Sequence, residues 1–300
     1  MFAISTSWNV KLGTDLREWV KTVQGLGFTA VELSYTLTQA QLKEIEGLLK
    51  EFSLRVSSIH NFCPLPFDEP SPRHPSNHYR LSALDEFERA KAVDWTQTTV
   101  DTAQRVGAGV VVIHAGTIEM DDEAVKKMFG LYSAGKSGTA EFTKARDEFL
   151  KARKAKKGPY LEALKKSLTD VTDYAHSRGV KIGLETRYYP VEIPNFEEVG
   201  YFLDLFGKKG MYYWHDVGHA EVNERLKIKH HSDFLKTYKD KMIGVHLHGM
   251  RQLRDHLAPF DGDMELSQAL PYLKDDMIKV IEARHATLEQ LKSGIEKLGI

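Results

Sequence analysis

The sequence of 300 residues has little cysteine and no long apolar run. Its one cysteine, Cys63, excludes a disulfide within the chain and is typical of a reducing compartment. No apolar stretch approaches the roughly 18 residues that a membrane span requires. The residues after Met1 lack the charged and apolar regions of a secretory signal peptide. We therefore expect a cytoplasmic protein without a membrane partner.

The chain also lacks a charge bias. Lysine and arginine number 41, aspartate and glutamate 42, and the formal net charge is −1. Nucleic-acid-binding proteins usually present a basic surface, because phosphate contacts supply much of their affinity. The run KARKAKK at 151–157 is interpreted as a solvated helix face; a phosphate or nucleic-acid patch is the alternative, which the absence of interleaved aromatic residues disfavours. Nucleic acid is therefore not expected as a partner.

No G-x-G-x-x-G motif follows the first apolar segment, which argues against an open dinucleotide-binding sheet. Instead, short apolar segments alternate with amphipathic helical patterns along the whole chain. The predicted strands are 2–8, 28–35, 55–62, 109–117, 180–187, 211–215, 242–250 and 277–284. The predicted helices are 15–26, 38–52, 86–106, 160–177, 195–206, 232–239, 266–273 and 287–298. These repeats predict an α/β fold, a (βα)8 TIM barrel, as one domain over residues 1–300.

Two segments interrupt the alternation. Residues 63–84 are rich in proline and lack periodicity, which predicts a long loop rather than a linker between domains. Residues 118–158 are rich in lysine, glutamate and alanine, which predicts a helical insertion after the fourth strand. Long loops that follow barrel strands often carry function.

Polar residues occur at the ends of most predicted strands. They are His60, His114, Glu185, Asp216, His219, His246 and Glu282. In a barrel the carboxyl ends of all strands meet at one mouth, and uncompensated buried charges there would cost several kcal/mol each. A divalent metal ion would compensate them.

The donor types leave the identity and number of ions open. Glu185, Asp216, His246 and Glu282 form an oxygen-rich set that suits Mn²⁺, Mg²⁺ or Co²⁺. Adding His60, His114, His219 and His256 shifts the balance towards Zn²⁺ or more than one ion.

The segment GMYYWHDVGHAEV at 210–222 supplies the first two ligand candidates. Asp216 ends a strand, and Gly218 is predicted to permit a tight turn that brings His219 to the same space. The alternative is that Asp216 caps the following turn and that His219 is a structural histidine.

These segments resemble the xylose isomerase-like TIM barrel superfamily, in its sugar phosphate isomerase/epimerase group. The similarity extends over essentially the whole chain. Its matching pieces, in the family's order and spacing, are LGFTAVELS, SIHNF, VVIHAGT, GLETR, HDVGHA, GVHLHG, DHLAPFDGDMEL and VIEAR. The resemblance implies one divalent metal ion bound by Glu185, Asp216, His246 and Glu282. It also implies that His219 binds the substrate or a further metal ion.

The resemblance also extends to the endonuclease IV branch of the superfamily. His60, His114 and His256 match positions that this branch uses for extra zinc ions, so a second ion near His60, His114 and His219 is left open. However, the branch has HLND after the seventh strand, where this chain has His246-Leu247-His248-Gly249, and a D-x-H pair where this chain has Asp255-His256. These departures argue against a three-zinc nuclease.

A metal between two glutamates suits proton transfer next to a carbonyl. We therefore expect a metal-dependent isomerase or epimerase of a sugar or sugar phosphate, with Glu185 and Glu282 as the catalytic pair; the resemblance to ketose 3-epimerases supports these roles. A dehydratase or lyase acting on a polyol or keto-acid would use the same chemistry. A zinc phosphodiesterase similar to endonuclease IV is the other alternative.

The expected partner is a small-molecule sugar. Substrate-binding roles are expected for His219, His60, His114 and His256. Arg187 is expected to reach the mouth and hold a hydroxyl or carboxylate, or to form a structural ion pair. Trp8 is expected in the wall of the sugar site, with the barrel core as the alternative. The sequence does not define the sugar, its phosphorylation or a homo-oligomeric state.

Overall fold

The computed structural model describes residues 1–66 and 77–300. Its strands are β1 (Phe2–Ser5), β2 (Ala30–Leu33), β3 (Arg55–His60), β4 (Val110–Ile113), β5 (Gly116–Thr117), β6 (Lys181–Glu185), β7 (Glu192–Ile193), β8 (Met211–Asp216), β9 (Met242–Leu247), β10 (Gly249–Arg251), β11 (Arg254–Leu257) and β12 (Ile278–Ile281). Eight of them form a closed barrel in the order β1-β2-β3-β4-β6-β8-β9-β12, in which β12 pairs with β1. Every neighbouring pair is parallel. The predicted (βα)8 barrel is confirmed.

Helices surround the barrel. They are α1 (Leu16–Gly25), α2 (Gln39–Glu51), α3 (Glu86–Val106), α4 (Glu123–Ser133), α5 (Ala140–Ser177), α6 (Phe196–Phe206), α7 (Val217–Arg225), α8 (His231–Tyr238) and α9 (Leu288–Leu298). Several begin at a side chain that accepts an otherwise unpaired backbone N–H, as Thr38 does for α2 and Asn195 for α6. Within the described residues, no helix combines the length and apolar character needed to cross a bilayer.

The structure corrects three local predictions. The helical insertion exists as α4 and the first half of α5, but α5 continues for 38 residues through Pro159 rather than ending near 158. The predicted helix 266–273 is two short 3₁₀ turns, so β9 is followed by the antiparallel pair β10–β11 instead of an α-helix. The predicted strand 109–117 is divided into β4 and β5. The predicted loop 63–84 lies partly outside the described residues.

The run at 151–157 lies on α5 and is not uniformly solvated. Arg153 is buried and donates to both carboxylate oxygens of Glu198, at 2.7 and 2.8 Å. Its neighbours Lys154 and Lys156 are exposed. One arginine of the run therefore anchors α5 to α6, which the interpretation as a solvated face did not include.

The floor of the barrel is apolar. Its cluster contains Ala3, Ala30, Val110, Val112, Trp214 and Val280. The Trp214 ring lies so close to two glycines that a Cβ at Gly244 would be 2.1 Å from it and one at Gly183 would be 3.1 Å from it. These glycines make room for the indole, which fills the barrel interior below the mouth.

Candidate metal centre and active site

Four side chains from four barrel strands converge at the mouth. The Nδ1 atom of His246 lies 2.8 Å from Glu185 Oε1, 3.3 Å from Glu282 Oε2 and 3.6 Å from Asp216 Oδ2. All four residues are buried, and their potential ligand atoms lie within 4.8 Å of one another. The four ligand candidates of the sequence therefore form one group.

Asp216 has one satisfied and one unsatisfied oxygen. Its Oδ1 accepts the backbone N–H of His219 at 2.8 Å and lies 3.1 Å from Nε2 of His248. Its Oδ2 is buried and has no hydrogen-bond partner among the described residues. A buried carboxylate oxygen without a donor is costly, so this atom fits a bound cation. Asp216 is thus both the N-cap of α7 and a ligand candidate.

Gly218 serves a different purpose from the predicted turn. It lies within α7, where a Cβ would come within 2.3 Å of Cε1 of His248. The glycine therefore admits the His248 ring, whose Nδ1 accepts the backbone N–H of His256 at 3.0 Å. This leaves Nε2–H of His248 to donate to Asp216.

The carboxylate of Glu32 orients His246 from the side of the ring that faces away from the other three carboxylates. Nε2 of His246 lies 3.1 Å from Oε2 of Glu32, which also accepts a hydrogen bond from Ser58 at 2.8 Å. If Nδ1 gave up the hydrogen that it donates to Glu185 at 2.8 Å, the Nε2–H contact with Glu32 would hold the ring with the Nδ1 lone pair turned to an ion. Sequence reasoning missed Glu32. Its signal was a glutamate within the otherwise apolar strand FTAVELSY.

The three carboxylates of the group are ionised. Burial alone would raise their pKa values. Hydrogen bonds from His114 and His246 nevertheless hold the pKa of Glu185 well below its usual value. The charges of His219 and His248 lower the pKa of Asp216, and the charges of His256 and His246 lower that of Glu282. Ionised oxygens and one imidazole form the donor set that a divalent cation prefers.

A second donor group adjoins the first through Glu185. Its other members, His60 and His114, place Nε2 at 3.6 and 2.6 Å from Oε2 of that glutamate. Burial, followed by the charge of Arg187, lowers the pKa of His114 well below its usual value, so this imidazole is neutral. Its Nε2–H donates to Glu185, and its buried Nδ1 has no partner within the described residues.

A third donor group adjoins the first through Asp216 and contains His219 and His256. His219 donates from Nδ1 to the carbonyl of Thr186 at 2.8 Å, and its Nε2 points towards Asp255. This nitrogen lies 3.6 Å from Asp255, whose other oxygen lies 2.9 Å from Nδ1 of His256.

Two arginines lie against the second and third donor groups, which we call the outer donor groups. Arg187 donates to Glu185 Oε2 at 2.7 Å and to Glu192 at 2.8 Å. Arg284 lies 2.7 Å from Nε2 of His256 and donates to the Tyr35 hydroxyl at 2.7 Å. Sequence reasoning missed Arg284, although it stands two residues after Glu282 as Arg187 stands two residues after Glu185.

A cavity of about 620 Å³ opens onto this centre. Its lining includes His60, His114, His219, His256 and both arginines, together with Tyr188 and Tyr189. The volume falls within the range typical of small-molecule sites. Trp8 is not part of the lining: it is buried and its indole N–H donates to the Ala286 carbonyl at 3.1 Å, which favours the core interpretation.

A family comparison identifies the class of protein. The family model of the xylose isomerase-like TIM barrel matches residues 20–297, and the chain belongs to this family. No curated protein matches the chain.

Several solved structures share the fold. The 3-keto-D-glucoside 4-epimerase of E. coli is 13% identical, with 99% of this chain and 98% of that chain covered and a TM-score of 0.70. A D-psicose 3-epimerase of Clostridium cellulolyticum H10, solved with D-tagatose, is also 13% identical, with 99% and 96% covered and a TM-score of 0.65. A D-tagatose 3-epimerase-like protein is 17% identical, with 99% and 95% covered and a TM-score of 0.64. At such low identity the similarity shows the fold alone.

Proposed function

We propose that the protein is a metal-dependent isomerase or epimerase of a small sugar or sugar phosphate, which moves a proton at the carbon next to a carbonyl. The observation that carries the proposal is the pair of buried glutamates, Glu185 and Glu282, that both lie within 3.3 Å of Nδ1 of His246 and line the cavity. The sugar epimerases among the similar structures supply the substrate class.

Glu185, Asp216, His246 and Glu282 would hold the ion. The unpartnered Oδ2 of Asp216 and the contact between His246 and Glu32 support this assignment. When bound, a divalent cation stabilises the negative charge that develops on the carbonyl oxygen of the substrate.

The two glutamates differ in their freedom to exchange a proton. Glu185 is held by His114, Arg187 and His246 at 2.6 to 2.8 Å. The contacts of Glu282 are longer: His246, His256 and Arg284 lie 3.3 to 3.7 Å away. A looser carboxylate can turn towards a carbon and take its proton. We therefore assign Glu282 as the base that removes the proton, and Glu185 as the group that returns it or protonates the opposite face.

The surrounding groups would orient the sugar. The unpartnered Nδ1 of His114 can accept a hydrogen bond from a hydroxyl, Nε2 of His219 can bond to another hydroxyl, and Arg187 can donate to a hydroxyl or carboxylate. Such polar groups around the cavity would fix the carbon to be deprotonated against Glu282.

Solvent exchange tests the proposal. Incubation of the protein with Mn²⁺ and a panel of ketoses, keto-glycosides and their phosphates in D₂O should place deuterium on the carbon next to the carbonyl. Glu282→Gln should lower the exchange rate at least about 1,000-fold, because the amide cannot accept the proton. Glu289→Gln, on the exposed face of α9, is the matched control and should exchange normally. Ion occupancy is measured in each sample by elemental analysis.

The outcomes separate mechanism from function. Exchange that persists in metal-loaded Glu282→Gln would contradict the assignment of the base. Product without deuterium would show that hydrogen moves by hydride transfer within the substrate. The isomerase assignment would then stand, but the proton-transfer mechanism would not. Elimination of water from a polyol or keto-acid in the same samples would instead indicate a dehydratase.

A metal-dependent phosphodiesterase is the second candidate, because the three donor groups form a chain joined through Glu185 and Asp216. Zinc-dependent nicking of DNA that contains abasic sites, with no exchange in any sugar, would establish it instead.

A further inference from the structure

The number of ions at the mouth is the property that divides the two candidate functions. Each outer donor group contains donor atoms close enough to share an ion of its own. Nε2 of His60 and Nε2 of His219 each lie 3.6 Å from a carboxylate oxygen. Donor types alone would thus permit one, two or three ions.

Arg187 occupies the outer group that contains His60 and His114. Its Nη1 lies 2.7 Å from Oε2 of Glu185, the oxygen that this group would offer to an ion. The guanidinium is fixed from its other side by Glu192, whose second oxygen accepts the backbone N–H of Tyr189 at 2.9 Å. An extra cation would have to displace a buried, doubly anchored positive charge.

Arg284 occupies the group that contains His219 and His256 in the same way. Its Nη2 lies 2.7 Å from Nε2 and 3.3 Å from Nδ1 of His256, so the guanidinium lies against the imidazole ring. Nδ1 of His256 lies 2.9 Å from Asp255, which accepts its hydrogen. An extra cation bound by His256 would therefore lie beside a permanent positive charge. Tyr35 holds Arg284 in place by accepting from its other terminal nitrogen.

We propose that Arg187 and Arg284 restrict the mouth to one divalent ion by placing a permanent positive charge in each outer donor group. A guanidinium stays protonated at every accessible pH, so the positive charge that it places in the group is permanent. His60, His114 and His219 are thereby left to bind substrate hydroxyls. This inference rests on the proposed function, because it assumes that the central group binds a metal.

Ion counting tests the proposal without an activity assay. The wild type, Arg187→Leu, Arg284→Leu and Arg251→Leu are loaded with Zn²⁺, dialysed and examined by elemental analysis and native mass spectrometry. We expect one ion in the wild type and two in each of the first two variants. Arg251 is the matched control: it lies at the cavity rim, is exposed, and pairs with Asp261 at 3.1 Å, so its variant should retain one ion.

Conservative variants keep the test decisive if a leucine variant does not fold. Arg187→Lys and Arg284→Lys retain the charge and should still bind one ion. Two or three ions in the wild type, or one ion in folded leucine variants, would overturn the inference and leave a metal-dependent function standing. A wild type that binds no ion would overturn the proposed function and this inference together.

Discussion

The floor and the mouth of the barrel are built from the same strands, yet their chemistry is opposite. On β8, Trp214 fills the floor and Asp216, two residues later, lies in the donor group. On β9, Gly244 admits the indole and His246 lies at the centre of the mouth. The same step separates Ala30 from Glu32, Gly183 from Glu185 and Val280 from Glu282. Inward-facing side chains recur at every second residue of a strand, so on each of these strands a step of two residues separates the packed floor from the donor groups.

This difference indicates how each layer contributes to stability. The floor buries a large ring against small residues, which stabilises the barrel whether or not an ion is bound. The mouth gathers ionised carboxylates in a buried place, where they are compensated by arginines, histidines and, we propose, a metal. A change in the floor should therefore act on folding alone, and a change in the mouth should act through the ion.

The largest expected effect is on the floor. Trp214→Ala should lower the free energy of unfolding by about 3–5 kcal/mol, because it leaves a cavity that the rigid barrel cannot close. Urea denaturation followed by circular dichroism, with Mn²⁺ and with EDTA, measures the loss. The decrement should be equal in the two conditions; a decrement that appears only with the metal would contradict the separation of the layers.

The next effect concerns the mouth. Mn²⁺ at about 100 times its dissociation constant should raise the free energy of unfolding of the wild type by about 2.7 kcal/mol, because the ion binds only the folded state. Asp216→Asn should abolish most of this gain. The exposed Asp204, which pairs with Lys241 at 2.7 Å, provides the control, and Asp204→Asn should keep the gain. Equal stabilisation of both variants would place the ion elsewhere.

A smaller effect is expected at Glu32, which contacts His246 but is not itself a ligand candidate. Glu32→Gln should weaken metal affinity about 10- to 100-fold, because the charge that orients His246 and increases its basicity is lost. Isothermal titration with Mn²⁺ measures the change against Glu44→Gln, an exposed residue of α2. Unchanged affinity in Glu32→Gln would show that His246 is oriented by its other neighbours.

The smallest effect is expected at Cys63. Burial raises the pKa of its thiol far above the usual value, so the reactive thiolate does not form. Cys63→Ser should therefore keep the deuterium-exchange rate within about tenfold of the wild type, a change below roughly 1.4 kcal/mol in the barrier. A greater loss in folded protein would assign the thiol a role in the reaction.

The barrel and the convergence of the four ligand candidates could be predicted from sequence because both depend on position along a strand. Apolar runs define the strands, and the polar residues that end them must meet at one mouth. The partners of those residues could not be predicted, because they depend on side-chain direction. Nothing in the sequence places Glu32 against His246 or Arg284 against His256. The continuity of α5 could not be predicted either, because proline locally disfavours a helix interior. Tertiary packing overrides this local effect at Pro159.

The most direct test of the account is a crystal structure of the protein loaded with Mn²⁺, with anomalous scattering used to locate the ion. The account predicts one strong anomalous peak at the mouth, within roughly 2.0–2.6 Å of oxygen or nitrogen atoms of Glu185, Asp216, His246 and Glu282. A fully loaded protein in which these side chains lie more than about 4 Å from every ion would contradict it.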